Sequence, residues 1–168
     1  DTYGLTGCEN EELALRLQDT RMVLESLQIG KPAPEFSLET MTGDTLALSE
    51  IDANHILVYF WASWCGHCQR AIPVLKSLYR TYHSNGVEFI GISIDKDRQA
   101  WVSWLKADDM PWIHLRAENS WHSRVLERYH VLSTPSYYLL GPEKRIQAKP
   151  RHVQQLKDEI ERQTVQDT

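Results

Sequence analysis

The sequence predicts an α/β fold in which helices flank a mixed central sheet, with a β-hairpin and a helical extension at the N-terminal side. Three observations carry this reading. Two nearly continuous apolar runs, His55 to Trp61 and Val87 to Ile94, have the β-branched and aromatic content of strands covered on both faces. Between them Ala71, Leu75, Leu78 and Tyr82 keep helical spacing, so strand, helix and strand follow one another as in a right-handed βαβ unit. Further on, Ser136 to Leu140 turns through Gly141-Pro142-Glu143-Lys144 into Arg145 to Ala148, a hairpin that adds antiparallel strands.

From Glu9 to Gln28, Leu13, Leu17, Thr20, Leu24 and Leu27 recur at alternating spacings of four and three, which predicts an amphipathic helix with one apolar seam. Ile29-Gly30-Lys31-Pro32-Ala33-Pro34 ends it, so residues 1–28 are expected to be an extension and residues 29–168 one domain. Glu35 to Leu38 and Leu46 to Leu48 read as short strands around Thr42-Gly43-Asp44, whose residues tolerate positive φ. The helix after the first long strand stops at Ser84-Asn85-Gly86. Asp97 is a good N-cap for a helix carrying Trp101, Trp104 and Leu105, closed before Pro111. Trp112 to Leu115 is a short extended piece, Trp121 to Tyr129 a helix, and Val153, Leu156 and Ile160 mark one face of a terminal helix.

Composition excludes several functions. A formal charge of −5 with no Lys/Arg cluster leaves no electrostatic footprint for nucleic acid or anionic lipid. No apolar run reaches the roughly 18 residues that a membrane span needs, so membrane association would require a tether absent from this sequence. The opening Asp1-Thr2-Tyr3-Gly4 has no leader pattern, as expected if a targeting segment were removed or a longer protein trimmed. Leu5-Thr6-Gly7-Cys8 resembles a bacterial lipobox but lacks the preceding apolar stretch, so Cys8 reads as an ordinary thiol.

The three cysteines are too few for a disulfide scaffold, and Cys65 and Cys68 are only three positions apart, between a strand and a helix. The thiolate is the reactive species, and unpaired N–H groups at a helix N-terminus favour it; with a neighbouring cation or dithiol, a cysteine pKa falls to about 3.5–7.5. Cys65 is thus the expected nucleophile. One helical turn leaves Cys68 within disulfide reach, as the resolving thiol. Gly66 lets the chain turn between them, and His67, as a charged or N–H-donating imidazole, would stabilise the Cys65 thiolate and make the disulfide more oxidising. The exposed flat ring of Trp64 would support an extended substrate. No ligand set for a metal accompanies Cys65, His67 and Cys68, and no cofactor beyond the dithiol is called for.

The run Val58-Tyr59-Phe60-Trp61-Ala62-Ser63-Trp64-Cys65-Gly66-His67-Cys68 resembles the active-site strand and helix start of the thioredoxin superfamily, and Pro73 falls where that family kinks its helix. Val131-Leu132-Ser133-Thr134-Pro135 is similar to the family's cis-proline loop, which implies a cis Thr134-Pro135 bond presenting backbone to substrate. Gly30-Lys31-Pro32-Ala33-Pro34-Glu35-Phe36-Ser37-Leu38 and Gly91-Ile92-Ser93-Ile94-Asp95 resemble the TlpA/ResA-like branch. The resemblance covers Ile29 to Gln163. It implies a thioredoxin-like fold, thiol-disulfide exchange on protein thiols or disulfides with a redox partner protein, and an extracytoplasmic, periplasmic and bacterial setting, with or without a tether. Two positions depart from it: Tyr59 and Ala71 stand where relatives carry carboxylates, so the proton relay for Cys68 has no obvious group.

Two other readings compete. The Ala33-Pro34-x-Phe36 opening also resembles peroxiredoxins, but Val58 and Ala62 stand where those enzymes need Pro and Thr or Ser. A thioredoxin-fold module that only binds a partner draws support from Trp64, Trp101, Trp104, Trp112 and Trp121, most of which are expected in the core. Asp95 is read as a strand-end carboxylate, and His55, His83, His114, His122, His130 and His152 as structural or surface residues. The direction of exchange is left open by the residues.

Overall fold

The computed structural model describes residues 6–166, with side chains described for residues 10–164, so Cys8 lies outside the described side chains. Its seven strands are β1 (Ser37–Thr40), β2 (Thr45–Ala47), β3 (His55–Trp61), β4 (Val87–Ser93), β5 (Ile113–Arg116), β6 (Ser136–Leu140) and β7 (Ile146–Ala148). They form one mixed sheet in the order β2-β1-β5-β4-β3-β6-β7. β3, β4 and β5 run parallel, and both flanking hairpins are antiparallel. The helices are α1 (Thr6–Ser26), α2 (Gly66–Tyr82), α3 (Arg98–Ala107), α4 (Arg124–Arg128) and α5 (Val153–Gln166).

Every residue of β3 is buried, as its unbroken apolarity requires of a strand covered on both faces. Side-chain alternation then divides the core. Phe60 turns to Tyr129 and Tyr138, with ring centroids 5.4 and 6.5 Å away. Tyr59 and Trp61 turn to the other face, where they meet Tyr137, Trp112 and Trp104 of α3. α2 covers this second face: Ala71, Ile72, Leu75 and Leu78 are buried, and Tyr79 lies edge-on to Phe89. The helix gives way to a turn of 3-10 helix that ends on Gly86 at φ 86°, a left-handed conformation that glycine adopts without penalty.

The thioredoxin-like fold expected from the sequence is the fold observed. Two local expectations differ. Trp121 to Tyr129 is not one helix: a 3-10 turn at Ser120–His122 precedes α4, and Ser123, extended at φ −75° and ψ 139°, separates them. Asn119 and Ser120, just before this segment, both take positive φ, so the chain enters it through a tight turn. The apolar seam of α1 is only partly covered: Leu27, just past its end, is buried and Val23 half-buried, but Leu13, Leu17 and Leu24 are 56%, 62% and 45% exposed.

Candidate active site

The C-terminal end of β3 delivers the chain to Cys65, which caps α2 from an extended conformation at φ −86° and ψ 104°. Cys65 and Cys68 are joined as a disulfide with Cα atoms 5.2 Å apart. The Cys68 amide N–H donates to Cys65 Sγ at 3.2 Å, so a free N–H of the helix's first turn is aimed at that sulfur. In the reduced state this donor and the positive end of the helix dipole favour a Cys65 thiolate. Cys65 Sγ also lies 3.6 Å from the carbonyl oxygen of Thr134, whose bond to Pro135 is cis. The loop from Ser133 to Ser136 therefore stands over the dithiol.

Two residues before Cys65, the turn is fixed from behind by a carboxylate. Asp95 is 2% exposed and accepts three hydrogen bonds: from the Ser63 amide at 2.9 Å, the Ser63 hydroxyl at 2.6 Å and the Ser93 hydroxyl at 2.6 Å. On the other side Gln69 of α2 donates to the Ser63 carbonyl at 2.6 Å. Ser63 thereby links the end of β4 to the first turns of α2. From the sequence Asp95 reads first as a strand-end or turn carboxylate, with an approach to the active site as the second reading; its hydrogen bonds to Ser63 bear out the second. The available signal was Ser93 and Asp95 closing a strand, buried except at Glu88, that runs parallel to the one leading into the cysteines.

Around the dithiol, His67 Nδ1 accepts a hydrogen bond from Arg70 Nη2 at 2.9 Å, because a guanidinium can only donate. Arg70 folds back far enough that its Nη1 would lie 3.6 Å from a side chain at Gly66. Trp64 is 59% exposed, and its ring centroid is 6.4 Å from that of Trp121, itself 41% exposed. Trp121 was expected in the core; the kinked entry to α4 brings it out beside Trp64. Trp61, Trp101 and Trp112 are buried and Trp104 half-buried.

Below the site, Tyr59 is 1% exposed, and its hydroxyl oxygen accepts from Trp112 Nε1 at 2.8 Å. Burial pushes the Tyr59 phenol well above its ordinary value, so it stays protonated through the neutral range. Burial also raises Tyr137, stacked on Tyr59, to about 12. Ala71 is buried in α2. At the two positions where the resemblance implies carboxylates, this chain has a neutral phenol and a methyl group, and neither exchanges protons with Cys68 at neutral pH. Among the described residues no group of three or more His, Cys, Asp or Glu is arranged to hold a metal ion. Among those residues, too, no helix is long and apolar enough to cross a membrane.

Residues 29–149 match the AhpC/TSA family. The thiol-disulfide oxidoreductase ResA of Bacillus subtilis is 26% identical over 122 residues, which cover 73% of this chain and 66% of that protein. Nucleoredoxin of Mus musculus is 29% identical over 164 residues, 94% of this chain and 37% of that protein. The chain thus spans about two thirds of the first relative and little over a third of the second. Among solved structures, a thiol-disulfide oxidoreductase from Bacteroides fragilis is 31% identical with a TM-score of 0.73, covering 79% of this chain and 99% of its own. The thioredoxin domain of a thiol-disulfide oxidoreductase from Bacteroides vulgatus is 26% identical with a TM-score of 0.75, covering 83% and 99%. The chain belongs to the AhpC/TSA family, on a thioredoxin-like fold, and within that family it is a thiol-disulfide oxidoreductase.

Proposed function

We propose that Cys65 is the attacking thiolate and Cys68 the resolving thiol in exchange with disulfides of protein substrates, which lie against Trp64 and the Thr134-Pro135 backbone. The observation that carries this reading is the Cys65 sulfur at the N-cap of α2, receiving the Cys68 amide and facing the cis-proline loop. In the reducing direction, Cys65 attacks one sulfur of a substrate disulfide; the S–S bond breaks, the other substrate sulfur leaves as thiolate and takes a proton, and a mixed disulfide remains. Cys68 loses its proton and attacks Cys65, releasing the second substrate thiol. The substrate gains two electrons and the pair becomes the disulfide seen here. A partner dithiol restores it, or the same steps run backwards to oxidise a substrate.

With no group at Tyr59 or Ala71 that titrates near neutrality, the proton of Cys68 passes to water or to the departing substrate thiolate. We place the activity in an extracytoplasmic compartment, where protein disulfides persist. Reduction of insulin disulfides by the protein with a dithiol reductant tests the reading. The parent is expected to accelerate insulin precipitation and Cys65→Ser to abolish the effect. A parent that does not accelerate precipitation would assign the fold a binding role, and a Cys65→Ser variant as active as the parent would exclude Cys65 as the nucleophile.

A further inference from the structure

We propose that Arg70, rather than His67, is the cation that favours the Cys65 thiolate, and that it acts as a positioning residue by holding His67 as a neutral imidazole. This rests on the Cys65 reading above and adds what tunes it. Arg70 Nη2 donates to His67 Nδ1 at 2.9 Å, so Nδ1 offers its lone pair and carries no proton. The ring is then neutral, with its proton on Nε2. The charge at this corner is the guanidinium, folded back along α2 towards Gly66.

The sequence of the helix start points the same way. Helix N-termini favour acidic residues, yet the first turn of α2 contains none, and Arg70 Nη1 reaches within 3.6 Å of where a Gly66 side chain would be. That arrangement costs the helix some electrostatic stability and places a positive charge beside Gly66, the residue that follows Cys65. The other ionisable groups nearby are Asp95, behind Ser63 at the end of β4, and His122, beside Trp121 but lining a groove with Arg116 and Arg124. The loop from Ser133 to Ser136, opposite the sulfurs, carries none. A guanidinium keeps its charge at every physiological pH, whereas an imidazolium with the ordinary value near 6.5 is lost as pH rises through neutrality. The stabilisation of the thiolate therefore persists above pH 7.

The test is to titrate the thiolate absorbance of the reduced protein in the parent, Arg70→Gln, Arg70→Lys and His67→Gln, and to equilibrate each with glutathione. A parent absorbance that disappears in Cys65→Ser checks the exchange reading on its own, separately from the differences among the other variants. Arg70→Gln is expected to raise the Cys65 pKa, cutting the thiolate fraction at pH 6 about three- to tenfold, and to make the disulfide less oxidising. Arg70→Lys, which keeps the charge, retains most of the parent value, and His67→Gln moves it less than Arg70→Gln does. Both side chains are exposed, so all variants should melt with the parent. An Arg70→Gln variant with an unchanged thiolate titration, or a His67→Gln shift as large as that of Arg70→Gln, overturns the proposal.

Discussion

Gly91 has no side chain because Tyr59 occupies the space one would need. The two are partners across β3 and β4, and a Cβ at Gly91 would lie 2.8 Å from the Tyr59 hydroxyl oxygen and 3.0 Å from its ring carbon. Gly91→Ala should therefore destabilise the fold by about 1–3 kcal/mol through overpacking, read as a lower denaturation midpoint. Tyr59→Phe keeps the ring but leaves Trp112 Nε1 buried without its acceptor, at a cost of about 1–3 kcal/mol. That variant should keep its exchange activity, because the phenol does not titrate near neutrality; lost activity in a still-folded protein would return Tyr59 to the proton path. Cysteine spacing and the tryptophan beside it were legible from sequence because they sit in one short run. Asp95 was not, since its meaning comes from hydrogen bonds to Ser63, 32 residues away in the chain.

At the scale of elements, β3, β4, β6 and α2 followed from local patterns, each matching its expected span to within one or two residues. The N-terminal hairpin was also legible, with Gly43 at φ 93° in its turn, but its place in the sheet was not. β1 pairs with β5, and the join is reinforced by Glu39, which binds Arg116 at 2.6 Å and also Arg98. Burial alone would push the Glu39 carboxyl up; the hydrogen bonds and charges of Arg98 and Arg116 outweigh it and hold it below the usual carboxylate range. A depressed folded value stabilises the protein above the unfolded pKa and ceases to do so as pH falls through the folded one. Stability should thus fall between about pH 5 and 3, and Glu39→Gln should remove part of that dependence while lowering stability at pH 7. Chemical denaturation at a series of pH values reads both. The expected helix from Trp121 to Tyr129 is broken because Ser123 is extended between the 3-10 turn and α4, and one extended serine leaves no mark in helical periodicity.

For the whole molecule, the fold was legible because one parallel core and one dithiol motif agree with each other in chain order. What escaped the sequence is how surfaces meet, including the pairing of Trp64 with Trp121 and the uncovered seam of α1. With Leu13 and Leu17 exposed and burial beginning only near Val23, deletion of residues 1–18 is expected to cost no more than about 1 kcal/mol, checked by thermal melting. A large loss would mean that the extension belongs to the domain. The polarity of the dithiol is the centre of the account, and trapping the mixed disulfide tests it most directly. Reduced Cys68→Ser protein incubated with a disulfide-bonded protein substrate should accumulate a covalent adduct that peptide mapping assigns to Cys65. Accumulation in Cys65→Ser through Cys68 instead, or no adduct in either variant, would contradict it.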